Sequence, residues 1–207
     1  MWIWTLNCNE IREDLLIGSC PMTGSDLDRI RHETGASAIL SLQHDECLAH
    51  FGIDYEQHRV HARRLGLEMA RSPMRDFNPG EQRRRLPAAV HRLWDLITDR
   101  HRVYVHCTAG LGRSALTVLG YLTFVEGYAP DEAIRLLKSK RPGVIPSLEA
   151  YNGCRADLLK PRHDEVERQA WIAYRERAAR QQAGSAEGDW YRAENAVLRA
   201  AVSVCVA

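Results

Sequence analysis

Val103-Tyr-Val-His-Cys107-Thr-Ala-Gly-Leu-Gly-Arg113-Ser114 is the stretch on which the fold turns. Arg102-Val-Tyr-Val-His106 is a short β-rich run, while Ala115, Val118, Leu119 and Leu122 repeat at helical spacing. Between them lies a loop that opens on a cysteine and holds Gly110 and Gly112. Glycines let backbone amides converge without side-chain obstruction. Amides converging at a helix N-terminus form a cradle for a tetrahedral oxyanion. Arg113 closes the loop and can fork two hydrogen bonds onto oxyanion oxygens.

The same cradle readies the cysteine. An ordinary thiol titrates near ~8.5 and is mostly protonated at neutral pH. Amides, helix dipole and Arg113 all favour the anion, so Cys107 is expected to be a thiolate beneath a bound phosphate. Thr108, Ala109, Gly110, Leu111 and Gly112 make up the phosphate-binding loop with Arg113. The chemistry expected is attack on phosphorus, a phosphocysteine intermediate and its hydrolysis. A small buried cysteine would not need glycines, arginine, hydroxyl and helix start together. A Walker-type loop requires Gly-Lys-Ser/Thr, and this loop has no lysine. A sulfurtransferase loop and a non-catalytic phospho-ligand-binding module both use such a cradle; neither calls for an acid to protonate a leaving oxygen. Asp76 sits just after a strand candidate in a Pro/Gly-bounded loop, which suits a mobile acid. Asp45 and Asp54 are weaker candidates.

Working outward, Leu15–Cys20, Ala36–Leu42 and Leu67–Met74 read as strands, the last interrupted near Pro73. Ser25 is the expected cap of the helix that follows the first strand. The polar stretch from His44 to Arg64 reads as loop plus short helix. Leu86, Val90, Leu93 and Ile97 give a helix between Pro79 and Asp99, expected to start or kink at Pro87. Further helices are expected over Asp131–Lys140 and Ser147–Lys160, and after Pro161 over His163–Gln182 and Trp190–Arg199. The segment Gly184–Gly188 is expected to be a flexible break. The division is a body over 1–160 and a helical C-terminal extension over 161–207. Strands alternating with helices predict an α/β fold with a central, mostly parallel sheet flanked by helices.

Composition bounds the function classes. With 45% hydrophobic and 27% charged residues, the chain is globular, not disordered or collagen-like. Lys+Arg 28 against Asp+Glu 27 gives a net charge of +1, which argues against a general nucleic-acid binder or a polybasic membrane protein. No apolar run reaches membrane-span length, and the start lacks the pattern of a secretory signal. The 6 cysteines include no C-x-x-C pair and read as reduced thiols, so a cytoplasmic protein is expected. The histidines show no metal-ligand spacing.

His106-Cys-x-x-Gly-x-x-Arg-Ser114 resembles the signature of cysteine-dependent dual-specificity phosphatases in the protein tyrosine phosphatase superfamily. Cys-Thr-Ala-Gly-Leu-Gly-Arg113 is similar to the active-site loop of glucan phosphatases. Asp14–Cys20, Ser41–Asp45, Phe51–Asp54, Arg75-Asp-Phe77 and Arg85-Leu-Pro87 follow the plant starch-phosphatase pattern in order, over roughly residues 10 to 160. The resemblance implies a hydrolase of phosphate monoesters with Cys107 as nucleophile, Arg113 on the oxyanion and Asp76 as general acid. It implies that Ser114 helps the sulfur leave, against the plainer view of a first-turn helix residue. His106 would orient the loop. Phe51 and Phe77 match sugar-stacking positions, with core packing as the alternative. Two departures stand out. His50 occupies a place where an aromatic is expected, and the loop after Arg141 reads Gly-Val-Ile-Pro. The carbohydrate-binding module of the plant enzymes has no counterpart. The substrate implied is a phosphorylated glucan, with phosphoprotein and phosphoinositol as alternatives, and neither metal nor organic cofactor. The tail, from Glu167 to Glu194, is similar to a short helical motif appended to various bacterial proteins, which suggests a bacterial source and a partner surface. The run Arg83-Arg-Arg85 reads as a solvated helix face.

Overall fold

The computed structural model describes residues 4–205. A five-stranded sheet of order β1-β2-β5-β3-β4 forms its centre. The strands are β1 (Cys8–Arg12), β2 (Leu15–Gly18), β3 (Ala38–Gln43), β4 (Glu68–Met74) and β5 (Val103–His106). β1 and β2 make an antiparallel hairpin, and the other neighbours are parallel. The expected α/β architecture with a mostly parallel sheet is what the chain adopts. β1 was not expected from sequence: only Ile11 of its five residues is buried, so this edge strand has no apolar alternation to read.

Successive residues of a strand face opposite sides of the sheet. Ile17, Leu40, Leu42, Val103 and Val105 join the larger core, and Leu16, Ile39 and Tyr104 the smaller one. The smaller core is covered by α1 (Gly24–Thr34) and α3 (Tyr55–Arg64), through Leu27, Ile30 and Ala62. The larger side carries α4 (Pro79–Thr98), α5 (Arg113–Gly120), α6 (Pro130–Lys140) and α7 (Leu148–Leu159). α5 runs into a π-helical turn at Tyr121–Val125, all of whose residues are buried.

Local details correct several expectations. The cap of α1 is Thr23, not Ser25: Thr23 and Asp26 form a reciprocal capping box. The segment 44–64 holds two helices, α2 (Asp45–Phe51) and α3, separated by Gly52 at φ 64°. Asp54 caps α3 by accepting from the Gln57 amide at 3.0 Å, and Asp45 pairs with Arg71. Both weaker acid candidates therefore have structural posts. α4 is one helix with Pro87 inside it, because Leu86, Ala89, Val90 and Leu93 are all completely buried and hold it to the sheet. Pro73 lies within β4 on the sheet's edge, where a missing N–H costs no ladder bond.

The tail forms α8 (His163–Ala179) and α9 (Ala186–Ser203), so most of the expected break at 184–188 belongs to a helix that Ser185 caps. Val166, Ala170, Ala193 and Val197 bind the two helices into a hairpin. α9 also lends Leu198, Ala201 and Val202 to the larger core. Asp189 is 1% exposed and takes two arginines, Arg177 and Arg192. No helix among the described residues is long and apolar enough to cross a membrane. Leu198→Ala is expected to cost about 2–5 kcal/mol, as for a fully buried leucine, in a urea titration of the intact protein. A loss below about 1 kcal/mol would mean that α9 rests loosely on the body.

Candidate active site

The parallel strands end level with one another: Gly18 and Ser41 both pair with His106. Ligands of open α/β sheets collect at such carboxyl ends. Cys107 follows β5, Asp76 follows β4 by two residues, and Gln43 ends β3. A cavity of about 850 Å³ opens there, lined among others by Cys107, Thr108, Asp76, Phe77, Phe51 and Ile145.

The loop carbonyls explain how the cradle is built. His106 Nδ1 donates to the Cys107 carbonyl at 2.9 Å, the Cys20 amide to that of Thr108 at 2.9 Å, and the Leu116 amide to that of Gly112 at 2.8 Å. In a trans peptide the following N–H points the opposite way. Carbonyls held outside thus leave amides facing the cysteine. Gly110 sits at φ 72°, and a Cβ there would lie 2.2 Å from the Gly18 carbonyl oxygen, so only glycine closes the turn.

Burial pushes the Cys107 thiol up. The Arg113 charge, the Ser114 hydroxyl and the amides of Ser114 and Gly110 outweigh it and hold the thiol below its ordinary value. Ser114 Oγ lies 3.5 Å from the sulfur. Burial pulls His106 down to about 4, against the bond to the Cys107 carbonyl, so its ring is neutral and its Nδ1–H is the donor. That bond ties the His106 ring to the first carbonyl of the loop.

Arg113 is 0% exposed. One terminal nitrogen donates to the Met74 carbonyl at 3.1 Å and the Cys47 sulfur at 3.4 Å. The other donates to Asp76 Oδ2 at 2.8 Å and Thr108 Oγ1 at 3.1 Å. Its Nε has no partner among the described residues. A buried N–H left without a partner is costly and rare.

The structure thus brings Cys107, Arg113, Asp76, Ser114, His106 and the loop together as expected. Phe77 stands on the cavity rim, 92% exposed with φ 52°, while Phe51 is half-buried and packs near Cys20, Leu48 and Ile53. Sequence reading missed Gln43 and Cys47. Gln43 Nε2 donates to Thr108 Oγ1 at 3.4 Å, and its place at the end of β3 was the available signal. Cys47 belongs to α2, and without that helix nothing placed it beside Arg113. Arg83 pairs with Asp157 across α4 and α7, so the arginine run is not wholly a solvated face.

Residues 39–152 match the model of the dual specificity phosphatase catalytic domain. The chain belongs to this family. It is 39% identical over 168 residues to "Phosphoglucan phosphatase DSP4, amyloplastic" of Castanea sativa, covering 80% of this chain and 44% of that one. It is 27% identical to laforin of Mus musculus over 74% of this chain and 49% of laforin. The chain therefore spans less than half the length of either relative. Among solved structures, PTPMT1 superposes with TM-score 0.58 at 20% identity, covering 71% of this chain and 90% of that one, a likeness of fold.

Alkylation by iodoacetamide reads the thiolate directly. Cys107 is expected to reach its plateau rate at a lower pH than an ordinary thiol, because the reactive anion persists to lower pH. Ser114→Ala is expected to move that midpoint upward. Cys154, pushed up to about 12 chiefly by burial, is expected to stay unreactive in the folded protein. Equal midpoints for Cys107 and a free thiol would refute the activated cradle.

Proposed function

We propose that the protein is a phosphoglucan phosphatase that works through a phosphocysteine. The observation that carries the chemistry is the Cys107–Arg113–Asp76 cluster, with a buried Arg113 Nε awaiting an acceptor. Cys107 Sγ attacks phosphorus, the ester P–O bond breaks, and Asp76 gives its proton to the departing oxygen. Arg113 and the loop amides hold the three non-bridging oxygens as charge redistributes. Water then attacks the phosphocysteine, Asp76 takes its proton, and the P–S bond breaks to release inorganic phosphate. Ser114, beside the sulfur, stabilises the thiolate as it leaves. A sulfurtransferase or silent binder would have no use for Asp76 on Arg113.

The glucan assignment rests on the volume of the cavity, about 850 Å³, on Phe51 and Phe77 along it, and on the phosphoglucan phosphatases among the relatives. A pyranose face stacks on an aromatic ring, and Phe77 offers one almost wholly to solvent. His50 meets Phe51 edge-on at 4.8 Å and lines the same wall, and Ile145, 71% exposed, supplies an apolar surface after Arg141. Those two side chains take the places where aromatics were expected.

The finer expectations belong to the same proposal. Six free thiols, Cys107 among them, suit a reducing cytoplasm. The bacterial source rests on the tail motif alone. Trp171, Ile172 and Tyr174 stand exposed on α8 and support a partner surface there.

Phosphate release from phosphorylated amylopectin, an aryl phosphate and a phosphotyrosine peptide separates chemistry from substrate. Cys107→Ser is expected to abolish turnover of all three. Asp76→Asn is expected to lower kcat by about 10²–10⁴-fold on amylopectin, and by less on the aryl phosphate, whose leaving group needs less help. Turnover of aryl phosphate and peptide without amylopectin would overturn the glucan assignment and leave the phosphatase standing. A further expectation concerns the rim: Phe77→Ala should raise KM for amylopectin with little change for the aryl phosphate.

A further inference from the structure

The seam between α8 and α9 holds small side chains, Val166 and Ala170 against Ala193 and Val197. Two of the largest, Trp171 and Tyr174 of α8, stand 59% and 42% exposed instead. Apolar surface left in water forgoes the burial that stabilises a fold, and where it gathers into a groove it marks a binding site. Here it does gather. Trp171, Tyr174 and Trp190 line a groove of about 580 Å³ between the two helices, together with Asp164, Glu167 and Arg168. Among the described residues, this groove shares no lining with the active-site cavity. α9 meets the body at the π-helical turn after α5, the end of that helix remote from the cradle. Tyr191 Oη donates to the Tyr128 carbonyl there at 2.9 Å.

The rings are held in place before any ligand arrives. The buried Asp189 carboxylate accepts from Arg177 Nε at 3.1 Å and from a terminal nitrogen at 3.0 Å. The Arg177 guanidinium lies over the Tyr174 ring, 5.6 Å from its centroid, and Tyr174 stacks on Trp171 at 5.5 Å and 26°. A brace thus runs from a buried carboxylate through a guanidinium and a phenol ring to an exposed indole. Across the groove, Trp190 donates its indole N–H to Glu194 at 3.1 Å and leans on the His163 ring at 5.6 Å. Side chains fixed in advance lose little freedom on binding. The charges disfavour an anion: Asp164 and Glu167 line the groove, while its Arg168 pairs with Glu165. Fixed aromatic faces beside carboxylate acceptors match a neutral ligand with flat apolar faces and hydroxyl edges.

We propose that this groove binds an unphosphorylated stretch of the glucan whose phosphate is removed at Cys107. The inference rests on the phosphoglucan reading and gives the exposed face of α8 its occupant. Pyranose faces stack on Trp171 and Trp190, and sugar hydroxyls donate to Asp164 and Glu167. A glucan is a polymer, so one stretch lies in the groove while another stretch of the same molecule enters the cavity. Holding the polymer at a second point raises its effective concentration at the cradle without a new contact there. The groove therefore acts on affinity for the polymer and leaves the chemical step alone.

Electrophoresis of the full chain through gels containing unphosphorylated amylopectin reads the groove without turnover, with thermal unfolding recorded alongside. Trp171→Ala is expected to weaken the affinity about 10-fold, the scale of one stacked ring. Tyr174→Ala removes the brace and is expected to weaken it about 3-fold, whereas Tyr174→Phe keeps the ring and is expected to match wild type. On phosphorylated amylopectin, Trp171→Ala is expected to raise KM with kcat unchanged, and on an aryl phosphate to change neither. A folded Trp171→Ala protein retarded like wild type would overturn the proposal, as would a wild type that amylopectin does not retard. If Trp171→Ala does not fold, a folded Tyr174→Ala protein with wild-type retardation would overturn it equally. A dimer that Trp171→Ala dissolves, with retardation intact, would overturn it in favour of contact between copies of this chain. Retardation that Trp171→Ala loses, together with no phosphate release from amylopectin, would overturn the phosphoglucan phosphatase reading and still support glucan in the groove.

Discussion

A guanidinium buried to zero exposure beside a cysteine is the constraint around which the active end of this molecule is arranged. Arg113 cannot shed its charge, so its surroundings must answer it. The Met74 carbonyl at the end of β4, the Thr108 hydroxyl, the Cys47 thiol on α2 and the Asp76 carboxylate all do so. They come from three stretches of chain, around Cys47, Met74–Asp76 and Thr108, and the parallel register that levels the strand ends is what lets them meet. Cys107 profits from the same charge. The arrangement that makes the arginine tolerable in the interior also favours the thiolate form of Cys107.

How much of this was legible in the sequence follows from the range of the interactions concerned. The cradle is local: strand, cysteine, glycines, arginine and helix occupy consecutive residues, so the order of residues alone places Cys107, Arg113 and Ser114. The buried strands were legible for a related reason, since β2 and β3 are apolar almost throughout and buried at every position. Asp76 was reachable because Arg75-Asp-Phe77 resembles the phosphatase pattern just after a strand, but its bond to Arg113 spans distant segments and no spacing rule foretells it.

What escaped the sequence was either polar or long-range. β1 buries one residue and gains its place from pairing with β2 and from the asparagines that hold Arg141. α3 buries only His58 and Ala62, so its apolar face is too thin to register, although Asp54 and Gly52 marked its surroundings. Pro87 misled in the opposite sense. A proline within a helix argues for a break, but four fully buried neighbours on the same face decide otherwise.

Phosphate binding also acts on the acid. Asp76 Oδ2 is bonded to the same Arg113 nitrogen that also reaches Thr108. A phosphate dianion entering the cradle competes for that nitrogen and brings negative charge against the carboxylate. Under the proposed function, Asp76 then gives up its bond to Arg113 and is free to move toward the leaving oxygen. The loop that carries it has features suited to such a change: Arg75 tethers to Glu46 on α2 through an exposed ion pair, and Phe77 stands at φ 52°, outside the region non-glycine residues prefer. The Phe77 conformation and the surface ion pair both lie within one residue of the acid, where Glu81 and Gln82 also bond the Arg75 amide and carbonyl at 3.1 and 3.0 Å, whereas the cradle opposite is held at nearly every carbonyl. Under the proposed function, the half that binds phosphate and the half that supplies the proton are thus built from two strand ends of one sheet.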